Sequence, residues 1–207
     1  MAELIIKNLA AENNNSEKSE IFNFTVSKGT MFILPVKNPE AGRSLFRMIS
    51  GLEAVSRGEI IIGGRSIADV HASERNIGLI FSKSTLYAHL SIYQNLLFSL
   101  NRIGADKDKI NNKITKAAKL FDFESYLDKK PTELCAEQLF KAELGRIFAL
   151  SPELVLIYDP LGNFSAENKI AMKNEIMKLY RNTGTTALYF DESDSAGNLL
   201  PEKKEQQ

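Results

Sequence analysis

The chain has 207 residues, 43% of them hydrophobic, with 26 Lys plus Arg against 26 Asp plus Glu. That length suits one well-buried domain, and the balanced charge provides no net field for nucleic acid or an anionic membrane. A single Cys135 excludes an internal disulfide, residues 1–7 lack the basic and apolar regions of a signal peptide, and no apolar run approaches the roughly 20 residues of a membrane-spanning helix, so a cytoplasmic protein is expected.

In chain order, residues 4–9 read as a strand, residues 13–16 as a polar loop, and Phe22, Phe24 and Val26 alternate like a half-buried strand. Residues 31–36 form a continuous apolar run, predicting a strand buried on both faces. A polar loop follows. Leu45, Phe46, Met48 and Ile49 then recur at helical spacing up to Gly51, which suits a helix C-cap. Residues 59–62 with Gly63 and Gly64 predict a hairpin, and residues 77–81 a buried strand. Ser91 is placed to cap a helix through Leu100; residues 107–121 predict an amphipathic helix with Ile110, Ile114, Ala117, Ala118 and Phe121 inward. The remainder reads as a helix over 137–150, a strand over 154–158, a helix over 166–182 and a strand over 185–190. Residues 201–207 are charged, without apolar residues, and are expected to be disordered.

Arg47 to Glu53, Gly58-Glu59-Ile60 and Gly63-Gly64, then residues 77–81, Leu86 to Ser91, Asn95-Leu96, Gly145-Arg146, Ser151-Pro152, Asp159-Pro160-Leu161 and Asn163 resemble, in order and spacing, the ATP-binding domain of ABC importers of the sugar-uptake type. The resemblance covers residues 3–194. It implies an α/β, P-loop NTPase-like domain with an N-terminal antiparallel β subdomain and a helical subdomain inserted over about 85–150, one domain through residue 200, ending before the family's further C-terminal strands. An exposed sheet edge near residues 185–190, and reduced stability of the isolated subunit, are expected from that ending.

The resemblance also sets out where the family's nucleotide chemistry belongs. A Walker A loop needs glycines so that backbone N–H groups converge on phosphate, a Lys for charge and a hydroxyl for Mg²⁺. Aligned without gaps, its glycine positions are Val36, Pro39 and Ala41, with Gly42 at the Lys and Arg43 at the hydroxyl. A rival register pairs Arg43 and Ser44 with the Lys and hydroxyl; it deletes one helical residue and turns Leu45, Phe46, Met48 and Ile49 by about 100° off the core stripe. Any nucleotide contact would fall on Lys37, Asn38, Ala41, Gly42, Arg43 and Ser44. At the Walker B end Tyr158 replaces the Mg²⁺ carboxylate and Asp159, shorter than the family's Glu, is the one remnant of a catalytic base. The Q-loop Gln falls at Ser82, the switch His at Glu192, the D-loop Asp at Ser165, and the adenine-stacking aromatic near Asn13. The signature motif reads Leu134-Cys135-Ala136-Glu137-Gln138, with a thiol for the Ser and two side chains for the glycines.

A fold-preserving pseudo-ATPase is therefore expected, without bound cofactor, at the cytoplasmic face of the membrane, partnered by an ABC permease subunit or a competent ATPase subunit. The groove around residues 86–90, Tyr93 and Leu97 resembles the surface that receives the permease's coupling helix. The alternatives are a weak ATP-binding, slow ATPase working through Arg43, Ser44 and Asp159, and a soluble regulator with no transport role. His71 and His89 have no companions at metal-ligand spacing.

Overall fold

The structure is a computed structural model that describes residues 2–11, 20–81, 83–158 and 166–191. Ser82, Asp159, Ser165, Glu192, Asn13 and the charged tail lie outside these. In β1 (Leu4–Ala11), Leu4, Ile6 and Leu9 are buried, an odd step in a period-2 pattern. A bulge between Ile6 and Leu9 accounts for it: Asn8 takes a left-handed conformation with φ 48°, its N–H donating to Asn23 Oδ1, and the phase of inward side chains shifts by one. β1 pairs antiparallel with β2 (Glu20–Val26) and β4 (Glu59–Ile62), and β4 turns through Gly63 and Gly64 into β5 (Arg65–Ser66). This sheet has the order β2-β1-β4-β5.

The second sheet is parallel, in the order β3 (Met31–Pro35), β8 (Thr186–Asp191), β7 (Leu154–Tyr158), β6 (Ile77–Phe81). Its two faces divide the core by alternation along each strand. Leu154, Leu156, Leu188 and Phe190 face α1 (Pro39–Ser50) and the antiparallel sheet, whereas Val155, Ile157, Ala187 and Tyr189 face the helices α2 (Ile92–Arg102), α3 (Lys107–Leu120), α4 (Ala136–Leu150) and α5 (Ala166–Thr183). α2, α3 and α4 follow β6 and precede β7, and the inward residues expected of α3 are all buried.

Two expectations are corrected. β3 is not buried on both faces: residues Met31 to Leu34 are half-buried, because among the described residues β3 pairs on one side only, with β8. The exposed edge does not lie at residues 185–190, since β8 pairs with β3 on one flank and β7 on the other, and residues 186–190 are buried. Phe32 of β3 stacks on Phe24 of β2, ring centroids 5.5 Å apart, tying that edge strand to the antiparallel sheet.

α1 ends where the sequence places its cap. Gly51 is left-handed at φ 80° and its N–H reaches back to the Met48 carbonyl. The buried Arg75 then satisfies carbonyls left over at this helix end: it donates to Met48 O at 2.7 Å and Ile49 O at 2.9 Å, and to Val70 O and Ala68 O beyond. Burial pulls the guanidinium below its ordinary pKa.

Candidate functional site at the strand ends

In open α/β sheets ligands sit beyond the carboxyl ends of the strands. The parallel register brings Pro35 opposite Asp191, and Phe190, Tyr158 and Phe81 side by side, at that end. The chain leaves β3 through Val36, Lys37 and Asn38 and enters α1 at once. Asn38 is extended and its side chain accepts from the N–H groups of Glu40 and Ala41, while the Gly42 N–H donates to the Asn38 carbonyl at 3.0 Å. Pro39 at the first helical position has no N–H. The Glu40, Ala41 and Gly42 donors of the first turn are thus all engaged within the chain.

The first turn of α1 is closely packed. Gly42 is buried, and a Cβ placed on it would overlap Val36 Cγ1, so the Val36 side chain lies against the bare helix backbone. Behind it Phe46 meets three rings edge-on: Phe81 at 5.1 Å, Tyr158 at 5.4 Å and Phe190 at 5.5 Å. The Tyr158 hydroxyl donates to the Pro39 carbonyl at 3.3 Å, joining the end of β7 to the start of α1. Tyr158 was singled out in the sequence as a candidate site position. Its companions Phe46, Phe81 and Phe190 were not, because their proximity depends on the lateral strand order.

The remaining candidates lie around this point. Lys37 is exposed in the loop and Ala41 is fully buried. The Ser44 hydroxyl donates to the Glu53 carboxylate, whose other oxygen is 3.4 Å from Arg47 Nε. Arg43 and Ser44 line an open cleft of about 480 Å³ with Ala10, Glu40, Arg47 and Ser56. α1 runs unbroken from Pro39 to Ser50 with Leu45, Phe46, Met48 and Ile49 all buried. Cys135, Ala136 and Glu137 belong instead to the start of α4: Cys135 is its exposed N-cap, with its N–H donating to Gln138 Oε1, and Glu137 pairs with Lys141 at 3.1 Å. Nearby, burial first and then the charges of this cluster push the Tyr126 phenol up to about 12.

A second face forms where β6 leads into α2. Leu86 is buried; Tyr87 and Phe98 are 41% and 43% exposed, their rings 5.2 Å apart with His89 beside Tyr87. Asn95, wholly buried, accepts from Tyr87 N–H and donates to the carbonyls of Tyr87, Leu90 and Ser91. Neither this face nor any other group of described residues gathers three metal-ligating side chains, and no helix among the described residues is long and apolar enough to cross a membrane.

The family profile described as ABC transporter matches residues 20–162. Among curated proteins, the sn-glycerol-3-phosphate import ATP-binding protein UgpC of Jannaschia sp. is 35% identical over 176 residues, covering 85% of this chain and 50% of that protein. UgpC 3 of Agrobacterium fabrum is 33% identical over 190 residues, 91% and 54% of the two chains. The chain thus spans about half the length of the curated relatives it matches. Among solved structures, an ATP-binding cassette of an ABC transporter superposes with a TM-score of 0.75 at 18% identity, covering 93% of this chain and 82% of that one. Clostridium perfringens cbiO1, part of the transporter complex cbiONQ, superposes with a TM-score of 0.76 at 17% identity, covering 92% and 78%. These two likenesses establish the α/β fold with its antiparallel and parallel sheets.

Proposed function

The chain belongs to the ABC transporter ATP-binding family, and from that membership we propose that it is a pseudo-ATPase: it occupies an ATP-binding-subunit position in an importer, at the cytoplasmic face of the membrane, without hydrolysing ATP. The observation that carries this reading is the start of α1. The donors a phosphate would need are engaged by Asn38, Pro39 contributes none, and Val36 lies where a lysine stem would pass. Among the described residues, the aromatic cluster of Phe46, Phe81, Tyr158 and Phe190 offers no carboxylate for Mg²⁺, and Asp191 lies opposite Pro35 on the β3 side of the strand ends. These residues do not fit a magnesium nucleotide, and no cofactor is assigned. Removing one electrostatic stabiliser costs on the order of a hundredfold in rate, so several missing together leave no useful turnover.

The partner in this reading is an importer permease subunit, alone or with a competent ATPase subunit. In this reading it docks at the Tyr87, His89 and Phe98 face, which includes part of the stretch 86–90 that, with Tyr93 and Leu97, resembles the family's permease-receiving groove; the exposure of Tyr87 and Phe98 supports this. A second reading, a slow ATPase using Arg43, Ser44 and Asp159, is favoured by the cleft that Arg43 and Ser44 line together. ATP turnover by purified protein separates the two. No phosphate release above the buffer rate supports the pseudo-ATPase; magnesium-dependent release that Arg43→Ala abolishes supports the enzyme.

A further inference from the structure

Loops between a strand and a helix ordinarily spend their polar backbone groups on water, yet one segment beyond β6 spends them on a neighbouring helix. Thr85 has three polar groups, and α4 binds all of them. Its N–H donates to Glu143 Oε1 and its hydroxyl donates to the same oxygen at 3.2 Å; Arg146 donates to its carbonyl at 3.2 Å and to its hydroxyl oxygen. Glu143 is only 5% exposed, which is unusual for a carboxylate on a helix whose neighbours in the core are Ala142 and Leu144. One residue further, Leu86 is buried in the helical core, and from Tyr87 to Ser91 the backbone is held again by Asn95. Residues 85–91 are therefore tied at both ends, by α4 at the first and α2 at the second.

We infer that Glu143 and Arg146 are positioning residues: with Asn95 they latch residues 85–91 into one conformation, so that the exposed Tyr87, His89 and Phe98 face is preformed before any partner meets it. The latch itself stands on the hydrogen bonds of Thr85; its use for docking rests on the importer reading above. A preformed face avoids the ordering cost that a loose loop pays on association. Asn95 alone would leave Thr85 untied, with the Leu86 N–H held only by the neighbouring Ser84 hydroxyl at 3.3 Å. Glu143 and Arg146 close that gap from a helix that does not otherwise contribute to the face.

Amide hydrogen exchange on the full chain at neutral pH, without nucleotide, tests this. In Glu143→Ala the Thr85 amide loses its acceptor, and exchange over residues 83–91 is expected to rise about tenfold or more while α2 and α3 keep their protection. Glu143→Gln retains an acceptor oxygen and restores protection. Thr85→Val, at an exposed position, loses the hydroxyl but keeps the amide bond, and gives a smaller rise confined to the same segment. Unchanged exchange over 83–91 in both Glu143→Ala and Thr85→Val overturns the latch, as does a rise of equal size throughout α2 and α3. Because no nucleotide enters the experiment, its failure is separate from a failure of the pseudo-ATPase reading.

Discussion

Tyr158 joins the end of β7 to the start of α1. Its ring packs with Phe46 and Phe190, and its hydroxyl reaches the Pro39 carbonyl at 3.3 Å. Because Pro39 is exposed and water can replace that bond, Tyr158→Phe should cost only about 0.5 kcal/mol in urea unfolding. Phe46→Ala, which removes the ring shared by all three neighbours, should cost about 3 kcal/mol or more. Equal costs would mean that the hydroxyl, not the ring cluster, holds this end of the sheet. Glu143 adds a pH signature. Burial raises its pKa above the ordinary 4.5, outweighing the Thr85 bonds and the Arg146 charge that lower it. The folded chain therefore keeps this proton to higher pH than the unfolded chain does. Wild type should lose stability relative to Glu143→Gln as pH rises from 4.5 through the raised value, and the gap should then stay constant. A gap that is flat across that window, measured by denaturant unfolding at each pH, would contradict the burial account.

At the scale of elements, the start of α1 decides the outcome. Gly42 is accommodated because Val36 lies against it, so Gly42→Ala should destabilise by about 1–3 kcal/mol despite alanine's better helix propensity. In a Val36→Ala background the overlap is relieved, and the same substitution should become neutral or stabilising. A double-mutant cycle measures the difference; purely additive effects would mean that Val36 does not fill this space. Most elements were legible in the sequence because their apolar spacing was regular: Leu45, Phe46, Met48 and Ile49 marked the buried stripe of α1, and Ser91 marked the capped start of α2. The early start of α1 had a signal too, in Asn38 followed by Pro39, the residue pair suited to an N-cap and first helical position. What periodicity could not convey was lateral order. A continuous apolar run predicts a central strand, but β3 lies at the edge of the described sheet and β8 in its interior, because pairing partners are set by how the crossovers stack.

Across the whole molecule, the family's framework is present, and the loss of nucleotide chemistry is proposed. Two sheets, α1 and the inserted helices build the family's α/β fold, with one core beneath α1 and another beneath α2 to α5. The apolar positions needed for that packing are present, and the strand ends carry Phe81, Tyr158 and Phe190 beside a helix start capped by Asn38. In the proposed non-hydrolysing role the chain acts by contact, through the Tyr87, His89 and Phe98 face. A pseudo-ATPase of the kind proposed does not take up magnesium nucleotide. Calorimetric titration of ATP and Mg²⁺ into purified wild type and Arg43→Ala tests it most directly: the account expects no binding heat from either, whereas micromolar binding by wild type that disappears in the variant would contradict it and establish Arg43 as a phosphate ligand.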